Sequence, residues 1–397
     1  MEKGNVLIIG AGHLVKRVKK SVIHRGYAVM HISDVISAIA ADPSSTIDTI
    51  AHALKDVDFA SLSMVYVLDE KDEHNLEIVI ALIALDPDIA ICTSLFNENL
   101  RPHFQAAHAR LHILNPARLA APAFIDALTE PISRKEKKHV HSPVIHPVRR
   151  PTDSFIKILL ASFALLIISA TVFFHFYEGL SWLDAFYFVV VTVATVGYGD
   201  IHLRDSHALS KIVNIIMILC STFFIWMIFS LTVDRLIKKR VQLSLGQKKY
   251  RYRNHVILCG LGRLGFFIAE ELYKKGQKVV IIDSNEESPN SRYFRNLGID
   301  VYTGNALLPG VLEDAGIKNA GALIAVVNDD YTNLQIGLNA RSYKHDLRLI
   351  LRIFDESMAK VIKDKLDIHL TLSMTALVNE KFAVLLADRT GAEDNIQ

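Results

Sequence analysis

Apolar positions along this chain fall into two regimes. From Phe155 to Phe176 and from Ile212 to Val233 they run almost unbroken. At ~1.5 Å rise per residue a helix over either run is about 33 Å long, enough to cross a bilayer. Elsewhere they come as short bursts separated by amphipathic stretches, the pattern of buried parallel strands alternating with helices. Before the first long run, strands are predicted at Val6–Ile9, Ala28–Ile32, Met64–Leu68 and Ile89–Thr93. Helices are predicted from His13 to about Arg25 and from Asn75 to Leu85, with a strand end and a helix over His112–Leu128. After the second long run, strands are expected at His255–Cys259 and Val279–Ile282, a helix ending near Lys275, and a last helix over about Thr371–Ala387.

Between the two long runs lie a short helix, predicted over Ser181–Val193, and the polar stretch Thr195-Val196-Gly197-Tyr198-Gly199-Asp200. Non-helical backbone at membrane depth survives only when it is buried or lines a wet cavity. Glycines at alternate positions let successive carbonyls aim one way, at dihedrals that a Cβ opposes. Carbonyls so aimed can replace an ion's hydration shell. Thr195 adds a hydroxyl at one mouth, and Tyr198 is expected to wedge the loop against the helix behind it. With Thr192 three residues before Thr195 and Asp184-Ala185-Phe186-Tyr187-Phe188 upstream, the stretch closely resembles the pore of tetrameric potassium channels. The resemblance implies potassium coordinated at Thr195, Val196, Gly197 and Tyr198, in a filter running from Thr195 to Asp200.

The α/β part occurs twice. Asn5-Val6-Leu7-Ile8-Ile9-Gly10-Ala11-Gly12 matches His255-Val256-Ile257-Leu258-Cys259-Gly260-Leu261-Gly262. Asn75-Leu76-Glu77 matches Asn333-Leu334-Gln335, Leu95-Phe96-Asn97-Glu98 matches Ile353-Phe354-Asp355-Glu356, and Leu114-Asn115-Pro116-Ala117 matches Leu372-Ser373-Met374-Thr375. These last three pairs keep one offset, so two diverged copies of one domain flank the long apolar runs.

The second copy carries the fuller nucleotide signature. Gly260, Gly262 and Gly265 form the complete glycine fingerprint between a strand and a helix, and Asp283 ends the next strand. A carboxylate there reaches ribose hydroxyls while the helix amino end holds phosphate. Arg263 and Leu264 lie in the same turn, with Arg263 a candidate phosphate contact, and Asn305 follows a later strand on the ligand edge of the sheet. The first copy has Gly10 and Gly12, but Val15 stands at the third glycine position. Ser33 stands where the acid would be, with Asp34 one residue late, so it is the weaker candidate. Both copies resemble the amino lobe of the regulator-of-potassium-conductance (RCK) domain of ligand-gated potassium channels and transporters. The resemblance implies NAD(H) or another adenine nucleotide as regulatory ligand. The carboxyl lobe of that domain is expected to be missing.

The expected fold is therefore a membrane α-helical pore module, two transmembrane helices plus a pore helix, flanked by two α/β Rossmann-like domains with parallel sheets. Residues 1–130 form the diverged first domain, 131–153 a basic linker, 154–237 the pore module, 238–253 a second basic linker and 254–397 the second domain. Charge sharpens this picture. Overall it is balanced, 44 Lys and Arg against 42 Asp and Glu, which argues against a nucleic-acid partner. Locally, Arg134–Arg150 and Arg235–Arg253 are strongly basic, while the segments between the spans are mixed, with Glu178, Asp184, Asp200 and Asp205 against Arg204. Positive-inside then puts both domains and both termini in the cytoplasm of a multi-pass plasma-membrane protein, with lipid a partner at the basic flanks. No leader is expected before Val6, and no voltage sensor with only two spans. His139, His141 and His146 among prolines fit a linker better than a metal site. Cys92, Cys220 and Cys259 read as core residues rather than a disulfide framework.

A single intact filter favours a homotetrameric potassium-selective channel gated through its cytoplasmic domains. A subunit of a potassium uptake transporter is the nearest alternative. A membrane-tethered NAD-dependent oxidoreductase lacks an acid/base constellation, His255 and His369 being isolated, so no enzyme is expected.

Overall fold

The computed structural model describes residues 4–33, 46–130, 152–354, 359 and 370–387. The chain divides into two compact units, one formed by 1–140 with 245–397 and the other by 141–244. Asp34, the histidines of the first basic linker and His369 lie outside the described residues.

In the α/β unit the first sheet is built from β1 (Asn5–Ile9), β2 (Ala28–Ile32), β3 (Leu62–Val67), β4 (Ile91–Ser94) and β5 (Leu111–Leu114). Its order is β2-β1-β3-β4-β5, every pair parallel. The connecting helices are α1 (His13–His24), α2 (Thr46–Ala53), α3 (Asp72–Leu85) and α4 (Arg101–Ala107), and α5 (Pro116–Asp126) follows β5. Such runs of Val, Ile and Leu are what a sheet covered on both faces requires.

The 141–244 unit holds α6 (Thr152–Glu178), α7 (Trp182–Val193) and α8 (Ala208–Ser244). Their shared core is Ala170, Phe174, Ala185, Phe188, Val189, Val193 and Met217. Phe174 meets Phe188 edge to face with ring centroids 5.0 Å apart, so it is a packing residue. Ser181 caps α7 by accepting from the Asp184 amide. The apolar windows of α6 and α8 have mean hydropathy 2.3 and 2.4, yet only 17% and 11% of them is buried. These are helices long and apolar enough to cross a membrane, and their surfaces are not those of a soluble core. α8 runs on to Ser244, so residues 238–244 are helix rather than linker.

The second sheet contains β6 (Val256–Cys259), β7 (Val279–Asp283), β8 (Asp300–Thr303), β9 (Ala322–Ala325), β10 (Arg348–Arg352) and β11 (Leu370–Leu372). Its order is β11-β10-β9-β6-β7-β8, all parallel. The helices are α9 (Arg263–Lys274), α10 (Pro289–Asn296), α11 (Pro309–Asp314), α12 (Asp330–Tyr343) and α13 (Met374–Ala387). Residues 370–372 therefore pair as a strand where the sequence suggested the start of the last helix. The strand order reverses beside β6, the topological switch point at which doubly wound sheets bind ligands.

The two sheets share one core. α13 packs on α1 and α5, and α9 packs on α5. Val6, Tyr66, Phe124, Phe267 and Phe382 belong to a single buried cluster. The buried Tyr66 hydroxyl donates to the Phe382 carbonyl at 2.7 Å, and burial pushes its pKa well above the ordinary phenol value. Arg348 donates to the Ala127 and Glu130 carbonyls at 2.7 and 2.8 Å, tying the end of α5 to β10.

Candidate functional site

Two sites follow, one in each unit. In the 141–244 unit Thr195, Gly197 and Gly199 take φ of +58°, +58° and +81°, and the residues between them do not take positive φ. The alternation expected of the glycines thus extends back to a threonine, which holds it at a steric cost. The amides of Val196 and Gly197 donate to the Val191 carbonyl at 3.0 and 3.4 Å, and that of Thr195 to Thr192 at 3.0 Å. The last turn of α7 therefore fixes the start of the loop. Tyr187 on α7 donates to Asp200 at 2.8 Å and fixes its end. Tyr198 is 74% exposed in one chain, and Tyr187 is the α7 side chain that reaches the loop. No single chain closes the loop into a passage, because all six residues Thr195–Asp200 are exposed.

In the second α/β domain the fingerprint turn is close-packed. A Cβ on Gly265 would fall 2.0 Å from the Gly260 carbonyl oxygen, and one on Gly260 would fall 2.9 Å from Val327. α9 opens at Gly262 with no side-chain cap, which leaves its first amides for an anion. Asp283 ends β7, accepting from the Leu261 amide at 2.8 Å through one oxygen and from Asn285 at 2.8 Å through the other. Asn290 donates to the Leu261 carbonyl at 2.9 Å. Gly260, Gly262, Leu264, Gly265 and Asp283 are thus brought together. Asn305 is exposed after β8 and accepts from Leu307 at 2.9 Å. Asp329 caps α12 through the Thr332 amide at 2.7 Å, and its hydrogen bonds to Thr332 hold its carboxyl below the ordinary value. Asn328 accepts from Arg352 at 3.1 Å.

Arg263 points elsewhere than the phosphate seat. Its guanidinium donates to the Glu70 carbonyl at 2.5 Å and lies 4.1 Å from the Phe96 ring centroid, both in the first domain. His13, at the corresponding place in the first copy, stacks on Phe354 of the second at 5.4 Å. The two contacts are related by the same internal repeat.

The first copy's loop differs in backbone as well as sequence. Gly12 takes φ +102° where Gly262 takes −73°. Val15 is buried at the third glycine position. A Cβ on Gly12 would lie 3.4 Å from a Glu70 carboxylate oxygen, so an acid hangs over the seat that phosphate would need. Ser33 is exposed after β2. Glu70 and Asn290 were not found from sequence, since neither lies in a motif and only the fold brings them to the loops. Among the described residues no group of three or more His, Cys, Asp or Glu could hold a metal ion.

Comparison with known proteins agrees with this division. The TrkA-N domain family matches residues 256–373, and the ion channel family matches residues 161–238. Potassium channel protein 1 of Methanocaldococcus jannaschii is 32% identical over 205 residues, 50% of this chain and 61% of that protein. A Trk system potassium uptake protein TrkA homolog of Pyrococcus horikoshii is 31% identical over 154 residues, 35% of this chain and 66% of that protein. This chain therefore spans less than two thirds of the length of these curated relatives. The crystal structure of GsuK bound to ADP superposes with a TM-score of 0.54 at 14% identity, covering 97% of this chain and 70% of that one. At that identity the likeness is one of fold.

Proposed function

We propose that this chain is the subunit of a homotetrameric, potassium-selective channel gated by nucleotide binding to cytoplasmic RCK-like domains. The observation that carries this reading is the Thr195–Asp200 loop. It alternates left-handed φ at 195, 197 and 199, is anchored at both ends to a short helix, and sits between two membrane-length apolar helices. Four copies would turn its exposed carbonyls toward one axis and replace the potassium hydration shell. The resemblance of the pore sequence to tetrameric channels and the match of the ion channel family support it. The relatives reported above are potassium channel and uptake proteins, which supports a non-enzymatic role.

In this reading Thr195, Val196, Gly197 and Tyr198 coordinate potassium. Gly260, Gly262, Leu264, Gly265 and Asp283 hold NAD(H) or another adenine nucleotide, with Asn305 at the rim. The first domain, with Gly10, Gly12 and Ser33, is chiefly structural, because Glu70 and Val15 oppose phosphate there. The domains extend over 1–130 and 254–397, and both termini are cytoplasmic. A ligand that binds one arrangement of these domains better than another shifts the pore population. An uptake-transporter subunit is less favoured, since this chain carries its own filter. Potassium and sodium flux from proteoliposomes, with and without NAD and ADP, tests the reading. Equal sodium and potassium flux would overturn it.

A further inference from the structure

α10 touches the Gly260–Gly265 turn with its first turn and Leu245, the residue after α8, with its last. At its start, Asn290 donates to the Leu261 carbonyl at 2.9 Å, while the Leu261 amide is held by Asp283 at 2.8 Å. Both polar ends of that residue are therefore gripped, and Leu261 lies between the two glycines of the turn. At its end, Arg295 Nη2 donates to the Leu245 carbonyl at 3.3 Å, to Val301 at 3.4 Å and to the Thr303 hydroxyl at 2.6 Å. Leu245 is the residue that follows Ser244, the last of α8. Between these ends Ser291 and Phe294 are fully buried, so α10 is seated in the core and shifts as a piece rather than bending.

The segment after α8 is fixed to the domain at several points. The Leu245 carbonyl also accepts from the Thr303 amide at 2.8 Å, and Tyr250 donates through its amide to Asp314 at 2.7 Å. Lys248 pairs with Asp300 at 3.1 Å. Gly246 passes so close to β8 that an added Cβ would fall 2.0 Å from the Val301 oxygen. A segment held this way transmits displacement instead of absorbing it as a flexible linker would.

We infer that α10 is a strut that carries the state of the Gly260–Gly265 turn to the end of α8, with Asn290 and Arg295 as its two positioning residues. The inference rests on the nucleotide reading of that turn. A phosphate seated on the first amides of α9 reorders the Leu261 peptide. Asn290 follows its carbonyl, and Arg295 passes the shift to Leu245 and so to α8. Coupling between the two contacts is read as non-additivity of the two substitutions.

The test uses the full chain in proteoliposomes, with NAD and ADP as probes. Asn290→Ala, Arg295→Gln and the double variant are compared for nucleotide affinity by calorimetry and for nucleotide-dependent change in potassium flux. Affinity is expected to stay within about threefold of wild type for Arg295→Gln, which lies away from the turn, and the flux response of every variant is read at saturating nucleotide. Each single variant should lose most of the flux response, and the double should lose no more than either single. Arg295→Lys and Thr303→Val, which keep the core packing, should give partial loss should Arg295→Gln prove unstable. Variants that bind and respond as wild type overturn the inference alone, and so does a double variant whose losses simply add. A wild-type chain that binds neither nucleotide overturns the nucleotide reading, and this inference with it.

Discussion

Asn75 and Asn333 do the same work in the two sheets. Each is fully buried. Asn75 accepts from the Asp69 amide at 2.8 Å and donates to the Asp69 and Ser94 carbonyls at 3.0 and 2.9 Å. Asn333 accepts from the Val327 amide at 2.9 Å and donates to Val327 and Arg352 at 2.9 and 3.0 Å. Each amide thus stitches the carboxyl ends of two neighbouring strands, where the backbone leaves the sheet and needs partners. Asn333→Leu should destabilise the second domain by about 1–3 kcal/mol for each backbone group left unpaired. Asn75→Leu should do the same to the first. Denaturant unfolding of the full chain, followed by hydrogen exchange in each domain, checks both, and an unchanged protection pattern would count against the stitch.

The filter glycines give a second expectation. Gly199 takes φ +81° with nothing within 4 Å of an added Cβ. A methyl group there meets no neighbour in one chain, so its penalty comes from the backbone, roughly 1–2 kcal/mol for a left-handed residue that is not glycine. Gly199→Ala should therefore leave folding largely intact while lowering potassium selectivity at least tenfold in flux measurements. Retained selectivity would show that the carbonyl alignment does not depend on this dihedral.

Much of this was legible in the sequence, for identifiable reasons. Val6–Ile9 and Val279–Ile282 are continuous apolar runs closed by Gly10 and Asp283, so strand and turn both have local causes. The short helix α7 was legible from its length and from its place just before the polar stretch. What was missed depends on contacts far apart in sequence. Nothing near Arg263 says that its guanidinium will cross to Phe96, 167 positions away (263 − 96). Nothing near Leu370 marks a strand until β10 is beside it. The extension of α8 to Ser244 was hidden because its basic residues read as a linker, although Lys and Arg are good helix formers.

The two nucleotide loops should differ in affinity. Asp283 holds the Leu261 amide and, in the proposed reading, would also meet a ribose, so Asp283→Ala would remove a loop brace along with a ligand contact. A charged hydrogen bond of this kind contributes about 1.5–3 kcal/mol, roughly ten- to hundredfold in affinity. Ser33→Ala should change total nucleotide binding by less than about twofold, on the same scale. Glu70→Gln removes the carboxylate beside Gly12 and should raise any binding by the first domain. Calorimetry on the full chain with each substitution decides the matter. Larger loss from Ser33→Ala than from Asp283→Ala would reverse the assignment of the main site.

His255 should make the second domain sensitive to acid. It is fully buried at the foot of β6, where its Nε2 lies 2.9 Å from the Ala315 carbonyl and its Nδ1 has no partner. A neutral ring with the proton on Nε2 satisfies this geometry. A second proton would place an N–H in the core without an acceptor, and burial holds the pKa below the ordinary 6.5, with Lys344 adding to the effect. For a base whose folded pKa is depressed, the unfolded chain binds the proton first. Its contribution to stability is therefore complete above about 6.5 and is lost as pH falls through the lower folded value. The unfolding temperature of the second domain should fall between pH 7 and pH 5. His255→Gln, whose side-chain amide can still donate to Ala315, should flatten that slope while lowering stability at pH 7. The difference between the two pH profiles is the measurement. Parallel profiles would mean that His255 takes up its proton without penalty and that its burial is irrelevant to the acid response.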